Sequence, residues 1–205
     1  MSGRARKNGE RAKLDAYYTD DRVAQAVIDE VIPHILMAEA APLRVLEPHV
    51  GGGAWVRALQ RLRSPNITIT AMDLNPEAAG LALADHAMPG VDFLELAKGW
   101  SSNDVPWDLV VGNPPFSVNG TVVAHHHLEA AKTVGRWVIM LTRVGLYTAA
   151  RRRDWVRSCQ PCLTYDLAPR PSFTGRGTDS AEYRVAVFGP YKPTSSRHQV
   201  LWWKE

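Results

Sequence analysis

Apolar residues recur along this chain in two rhythms, one helical and one of short continuous or alternating runs. Val23, Val27, Ile28 and Val31 form a single helical stripe, with Thr19 or Asp20 placed to cap it and Pro33 limiting its first part. Residues 43–47 predict a strand ending on the carboxylate Glu47, and Gly51-Gly52-Gly53 makes a tight connection to a helix. On that helix Trp55, Leu59 and Leu62 share one face while Arg57 and Arg61 lie on another. Residues 67–72 alternate as a second strand with Asp73 at its end, and Pro76 falls where the first turn of a following helix tolerates it. A third, weaker strand is expected at 91–94, a fourth at 109–111 and a fifth at 137–141. Helices are expected over 121–134 and 146–158, the latter with Trp155 and Val156 inward. Two more strands, 163–167 and 182–188, flank a polar stretch over 168–181. Strands alternating with helices predict an α/β fold, a mostly parallel sheet covered on both faces.

The stretch Trp107-Asp108-Leu109-Val110-Val111-Gly112-Asn113-Pro114-Pro115-Phe116 stands out against that pattern. Gly112 and two prolines stop the buried strand and impose a rigid turn. The turn presents an amide, a ring-fixed backbone and an aromatic face at the carboxyl end of a strand, where open α/β sheets hold ligands. A loop that merely closes on Asn-Pro is the other reading of the same residues.

Charge is distributed unevenly. Residues 1–13 carry five basic side chains against one acidic, residues 14–142 eight against fifteen, and residues 143–205 eleven against five. An acidic body between basic ends suggests a polyanion gripped by the ends, and basic termini are also common in ordinary proteins. The polar, basic residues 1–14 predict a mobile arm, leaving 15–205 as one domain. No apolar run is long enough to span a bilayer and no signal-peptide core is visible, which points to no membrane association and to the cytoplasm. Cys159 and Cys162 lack the further ligands of a zinc site and read as reduced thiols near a helix end.

A glycine loop after the first strand and an acid after the second is an arrangement for holding a nucleoside. A dinucleotide would want Gly-x-Gly-x-x-Gly, but Val56 stands at the last position. Glu47 would repel a pyrophosphate and suit an ammonium or sulfonium. Glu47-Pro48-His49-Val50-Gly51-Gly52-Gly53, Asp73-Leu74-Asn75-Pro76, Asp92-Phe93 and Asn113-Pro114-Pro115-Phe116 together resemble the class I S-adenosylmethionine-dependent amino-methyltransferases, in particular the N6-adenine DNA methyltransferases. Tyr17-Tyr18-Thr19 is similar to that family's Tyr-Thr-Pro segment, with Asp20 where proline is usual.

The resemblance implies a Rossmann-like, doubly wound sheet of seven mostly parallel strands with an antiparallel last strand, and S-adenosyl-L-methionine as cofactor. It implies that Tyr17, Tyr18, Thr19, Glu47, Pro48, Gly51, Gly53, Asp73, Leu74, Asp92, Phe93 and Asn113 surround that cofactor. Asn113 and Pro114 would accept hydrogen bonds from the acceptor amine, Pro115 would stiffen the turn, and Phe116 would stack on the base. The expected activity is methyl transfer to adenine N6 in DNA, with relaxed or short sequence preference because no separate recognition region is visible. RNA, a protein glutamine or a non-catalytic nucleic-acid-binding subunit are alternatives, and specificity could come from a partner chain. Arg143, Arg151, Arg152, Arg170, Phe173 and Arg176 are expected near the nucleic acid, although Arg151-Arg152-Arg153 also reads as a solvated helix face. His125-His126-His127 cannot converge on one metal, because consecutive helical residues point about 100° apart, so no metal is expected. Trp202-Trp203 reads as strand or edge packing rather than a base platform.

Overall fold

The structure, a computed structural model, describes residues 18–38, 42–100, 105–118, 120–173, 179–190 and 197–204. The N-terminal arm, Tyr17 and Arg176 lie outside them. The chain begins with α1 (Asp21–Ala38), β1 (Leu43–Glu47), α2 (Ala54–Arg61) and β2 (Ile67–Asp73). It continues through a 3₁₀ turn (Ala79–Leu83), β3 (His86–Pro89), α3 (Phe93–Lys98), β4 (Trp107–Gly112), the two-residue strands β5 (Ser117–Val118) and β6 (Thr121–Val122), and α4 (Ala124–Val134). After β7 (Gly135–Arg143) come α5 (Gly145–Thr148), a second 3₁₀ turn (Ala150–Arg152), α6 (Arg153–Ser158), β8 (Leu163–Ala168), β9 (Tyr183–Phe188) and β10 (Arg197–Trp202).

Eight of these strands form one sheet in the order β10-β8-β9-β7-β4-β1-β2-β3. β9 runs antiparallel to both β7 and β8, and the other pairings in the sheet are parallel. The chain winds outward from β1 through β2 to β3, then returns to β4 on the other side. A topological switch point therefore opens between β1 and β4, where open α/β sheets bind ligands.

The mostly parallel, doubly covered α/β architecture is the one the sequence predicts, and its details differ in five places. Among the described residues the sheet has eight strands rather than seven: the strand expected last, Tyr183–Phe188, is antiparallel as expected, and a further strand, β10, follows it parallel to β8. The third strand is His86–Pro89, and 91–94 instead starts α3, because the Asp92 side chain accepts from the Leu94 and Glu95 N–H groups and caps a helix there. Pro76 lies in a turn ahead of the 3₁₀ segment, not in a helix. Residues 117–122 fold as a small hairpin, which delays α4 to Ala124. The expected helix over 146–158 is broken into three short pieces; Trp155 is half-buried against the core, as expected, and donates from its indole N–H to Glu129, while Val156 is half-buried outside that core.

α1 and α2 cover one face of the sheet, and their apolar residues merge with inward residues such as Val45, Leu109, Ile139 and Val185. On the other face Phe93, Leu128, Ala131 and Val134 from α3 and α4 pack on Leu46, Met72, Val110 and Met140. Val23, Ala24, Val27, Ile28, Val31, Ile32 and Ile35 are fully buried along α1, a stripe wide enough to dock it on the sheet. Pro33 sits inside that helix on its exposed side, where its ring meets water rather than core. Cys159 is buried at the end of α6, Cys162 is half-buried, and both are free thiols.

Two glycines control how tightly the first loop closes. Gly53 has φ of 82°, and a Cβ there would fall 2.9 Å from the Gly80 Cα. A Cβ on Gly80 would lie 2.7 Å from both the Gly53 Cα and N. Backbone thus packs on backbone with no room for a methyl group. Gly80→Ala is expected to lower the free energy of unfolding by about 1–3 kcal/mol through overpacking, measured by urea denaturation; an unchanged midpoint would contradict the close contact.

Candidate functional site

The carboxyl ends of β1, β2 and β4 open onto a cavity of about 430 Å³. Its walls come from the loop after β1, the turn after β2, the start of α3 and the Asn113-Pro114-Pro115 turn after β4. Parallel register makes this possible. Glu47 pairs with Ala71 and Leu46 with Val110, so adjacent strands end nearly flush and their connecting loops face each other.

The β1–α2 loop is held by its neighbours. Gly51 N–H donates to Asp73 Oδ2 at 2.8 Å, Val50 N–H to the Met72 carbonyl at 3.0 Å, and Gly80 N–H to the Gly51 carbonyl at 2.9 Å. The other Asp73 oxygen accepts from Asn75 N–H at 2.8 Å. Each carboxylate oxygen keeps lone-pair capacity for a further donor from the cavity. Tyr18 lies over the loop, its ring 2.9 Å from where a Gly51 Cβ would be, so the glycine is what lets the aromatic ring approach. Thr19, Pro48, Leu74 and Phe93 line the same cavity, and so does Asp92 while it caps α3.

Three polar side chains here are poorly solvated, Glu47 beneath the lining and His49 and His127 within it. Glu47 is fully buried, neither oxygen has a hydrogen-bond partner of good geometry, and a Cβ on Gly112 would fall 2.7 Å from its Oε1. Burial raises its pKa well above the ordinary value, the backbone N–H of His49 opposes this in part, and nearby Asp73 adds to the rise. His49 Nε2 and His127 Nδ1 share a hydrogen bond of 2.8 Å across the cavity wall, and both rings pack on Phe93. Burial lowers both imidazoles, His127 to about 4 with Asp92 opposing, and His49 well below its usual value with His127 adding to the fall.

The structure redistributes several expected roles. Tyr18, Thr19, Pro48, Gly51, Asp73, Leu74, Asp92, Phe93, Asn113, Pro114 and Pro115 come together in one wall. Glu47 was expected to face a cationic ligand and instead lies beneath that wall. Gly53 turns away from the cavity toward Gly80. Phe116, expected to present an open stacking face, is 4% exposed. It packs against Phe173 and Tyr183, and the Arg143 guanidinium lies 4.7 Å from its ring centroid. Arg152 is committed to the fold, donating to the Leu146 and Gly145 carbonyls at 2.7 and 2.8 Å. Arg151 and Arg170 are exposed, the latter near the Ser180 carbonyl. Trp202 is exposed on the edge strand, while Trp203 is half-buried beneath the Arg22 guanidinium.

Three residues that the sequence reading left without a role shape the site. Arg57 donates to both carboxylate oxygens of Asp21 and to the Gly52 carbonyl, tying the start of α1 to the glycine loop. No local pattern marks such a long-range pair. His49 and His127 join the loop to α4. For His127 a signal existed: it stands three residues after Ala124 and four before Ala131, on the buried stripe of that helix. The rings of His125 and His126 instead meet at a tilt of 36°, and among the described residues no group of three His, Cys, Asp or Glu is placed to hold a metal. No helix among them is long and apolar enough to cross a membrane.

No known family profile matches the chain. Over 77 residues, 36% of this chain, it is 40% identical to the release factor glutamine methyltransferase of Deinococcus radiodurans, and the match spans only 26% of that protein. Among solved structures, it superimposes on a class I S-adenosylmethionine-dependent methyltransferase from Listeria monocytogenes with a TM-score of 0.68 and 9% identity, over 91% of this chain and 67% of that one. The methyltransferase subunit of a type I restriction-modification system from Streptococcus thermophilus gives 0.62 at 14% identity, covering 85% of this chain and 44% of that subunit. An RNA methyltransferase from Pyrococcus horikoshii gives 0.60 at 14% identity, covering 86% and 88%. At these identities the likeness is one of fold: the chain has the Rossmann-like fold of the class I S-adenosylmethionine-dependent methyltransferases.

Proposed function

We propose that this chain is an S-adenosyl-L-methionine-dependent methyltransferase acting on the exocyclic N6 amine of adenine in DNA. The observation that carries the reading is that the Asn113-Pro114-Pro115 turn lines the same cavity as Asp73 and Asp92. The cofactor fits the residues present. Backbone at Gly51 and Gly52 leaves space that side chains would fill, Asp73 offers two oxygens to a ribose diol, and Asp92 keeps acceptor capacity toward an adenine amine beside the Phe93 ring. A volume of about 430 Å³ lies in the usual range of small-molecule sites.

When bound, S-adenosylmethionine supplies a methyl group activated on a cationic sulfur. The chain's own residues do the rest. The amine of adenine is a poor nucleophile because its lone pair is delocalised into the ring. Asn113 Oδ1 and the Pro114 carbonyl accept hydrogen bonds from its two N–H groups, which favours a tetrahedral nitrogen with a localised lone pair. Pro114 and Pro115 keep those acceptors from relaxing. The proton leaves after the nitrogen has become cationic, so no strong base is required. Alignment of the amine with the methyl group supplies most of the rate, for which positioning can provide on the order of 7–11 kcal/mol.

DNA is favoured by the exposed basic residues Arg151, Arg153 and Arg157 near the end of the chain, and the fold neighbours include a restriction-modification subunit. A base in a duplex must first be swung out, at a cost of a few kcal/mol. Sequence preference would rest on short loops or on a partner chain. A second reading keeps the chemistry and changes the acceptor to an RNA base or a protein glutamine amide, and the partial match to a glutamine methyltransferase and the RNA methyltransferase neighbour support it. Incubation with labelled S-adenosylmethionine and DNA, RNA or release-factor acceptors, followed by nucleoside and peptide analysis, chooses among them; N6-methyladenine in DNA is the expected product, and label in RNA or glutamine alone would overturn the DNA assignment.

Asn113→Ala should lower turnover at saturating cofactor at least ~10²-fold, the scale of losing one transition-state hydrogen-bond partner, with the melting temperature nearly unchanged. Wild-type turnover in that variant would refute the clamp.

The imidazole pair leads us to expect folding, and with it cofactor binding, to weaken in acid. In the unfolded chain both histidines take up protons near pH 6.5, while in the folded chain His127 does so only near 4. The stability of the neutral pair is therefore complete above pH 6.5 and lost as the pH falls from 6.5 through about 4. Glu47 acts in the opposite sense: its raised pKa favours the fold below its unfolded value, and that contribution is lost as the pH rises through the folded one. Cofactor affinity and melting temperature, measured from pH 7 to 4, should fall together, and His127→Gln should flatten both profiles; a variant with the wild-type slope would remove the pair from the account.

A further inference from the structure

The acceptor side of the site turns on Phe116, which is almost fully buried. Phe116 sits at the end of the Asn-Pro-Pro turn, yet its ring is shut into a box by Phe173 and Tyr183, whose own centroids are 4.6 Å apart. Its backbone is pinned as well, because the Phe116 carbonyl accepts from Val123 N–H at 3.2 Å and closes the 117–122 hairpin. The Arg143 guanidinium covers the ring at 4.7 Å. Arg143 stands at the carboxyl end of β7, directly across from Tyr183 on β9, and the two side chains share a hydrogen bond while the Tyr183 hydroxyl donates to Asp179 at 2.8 Å.

We propose that Arg143 is a placeholder for the acceptor base: its guanidinium holds the face of Phe116 until a planar base takes that face, and it then moves onto a phosphate of the same nucleic-acid strand. This rests on the methyltransferase reading above and adds to it a residue that selects phosphate-bearing acceptors. The physical case is one of equivalence. A guanidinium is flat, delocalised and weakly hydrated, so it stacks on an aromatic ring as a nucleobase does. Exchange of one planar group for the other leaves the Phe116 face covered in both states. The same fork of N–H donors matches a phosphate in two parallel hydrogen bonds. The β7–β9 pairing fixes the Arg143 backbone, so a side-chain rotation opens the box while Phe116 and the turn stay in place. Tyr183, fully buried and bonded to Asp179, stays behind as the floor.

The test uses the full chain with S-adenosylhomocysteine present and two ligands, 2′-deoxyadenosine and a nine-residue oligothymidylate with one central deoxyadenosine. Equilibrium binding is measured for wild type, Arg143→Ala and Arg143→Lys, with melting temperatures as a check on folding. Arg143→Ala should bind the nucleoside about threefold more tightly, because nothing need be displaced from the ring, and the oligonucleotide about tenfold more weakly, because a charge-assisted phosphate contact is lost. Arg143→Lys keeps the charge and loses the flat stacking group, so it should hold the oligonucleotide near wild-type affinity and the nucleoside near that of the alanine variant. Affinities that weaken together, or a nucleoside affinity unchanged in both variants, overturn the placeholder. Cofactor product bound without either ligand in any variant overturns the acceptor reading itself.

Discussion

The hydrogen bond from Gly51 N–H to Asp73 is the contact on which the cavity depends, since it joins the loop after β1 to the end of β2. A loop of three consecutive glycines would otherwise sample many shapes at a large entropic cost. Here its polar backbone groups are assigned to fixed partners on Met72, Asp73 and Gly80. Arg57 adds a longer tie, gripping the Gly52 carbonyl and the Asp21 carboxylate together and so bringing the Tyr18 segment over the loop. Without the flush register of β1 against β2 and β4, none of these groups would meet.

At and beneath the cavity wall, desolvation sets the electrostatics. Glu47 and the His49–His127 pair lie where a charge loses its water, so each is pushed toward its neutral form. For the histidines the shared hydrogen bond satisfies one nitrogen of each ring while linking the cofactor loop to α4. The glutamate is compensated only in part, by the backbone N–H of His49, and rests against Gly112, which carries no side chain to displace it. Glu47 and the two imidazoles thus favour their neutral forms, and the carboxylates that line the cavity are those of Asp73 and Asp92.

The acceptor side is governed by packing. Phe116, Phe173 and Tyr183 form a compact aromatic group with Arg143 against it, next to a turn whose two prolines restrict its motion. Among the described residues an open cavity and a packed aromatic group thus lie side by side at the ends of adjacent strands. Basic residues beyond β7 divide in the same way between structure and surface: Arg152 satisfies backbone carbonyls, and Arg151 and Arg153 face solvent.

Local features were legible in the residues themselves. Apolar spacing, the glycine run and the two prolines determined the order of strands and helices around β1, β2, β4 and β7, because each depends on neighbours within a few positions. The order of motifs placed Asp73 and the Asn113 turn at strand ends for the same reason. Tertiary structure alone decided what lies across from what. Residues 91–94 were apolar enough for a strand, yet the Asp92 cap made a helix of them and His86–Pro89 took the pairing with β2. β10 exists as a strand because β8 offers it a free edge. The burial of Glu47, the meeting of His127 with His49 and the covering of Phe116 by Arg143 join residues far apart in the chain. Hydrophobic periodicity reports which side of an element faces inward, and it carries no information about the group that will be found there.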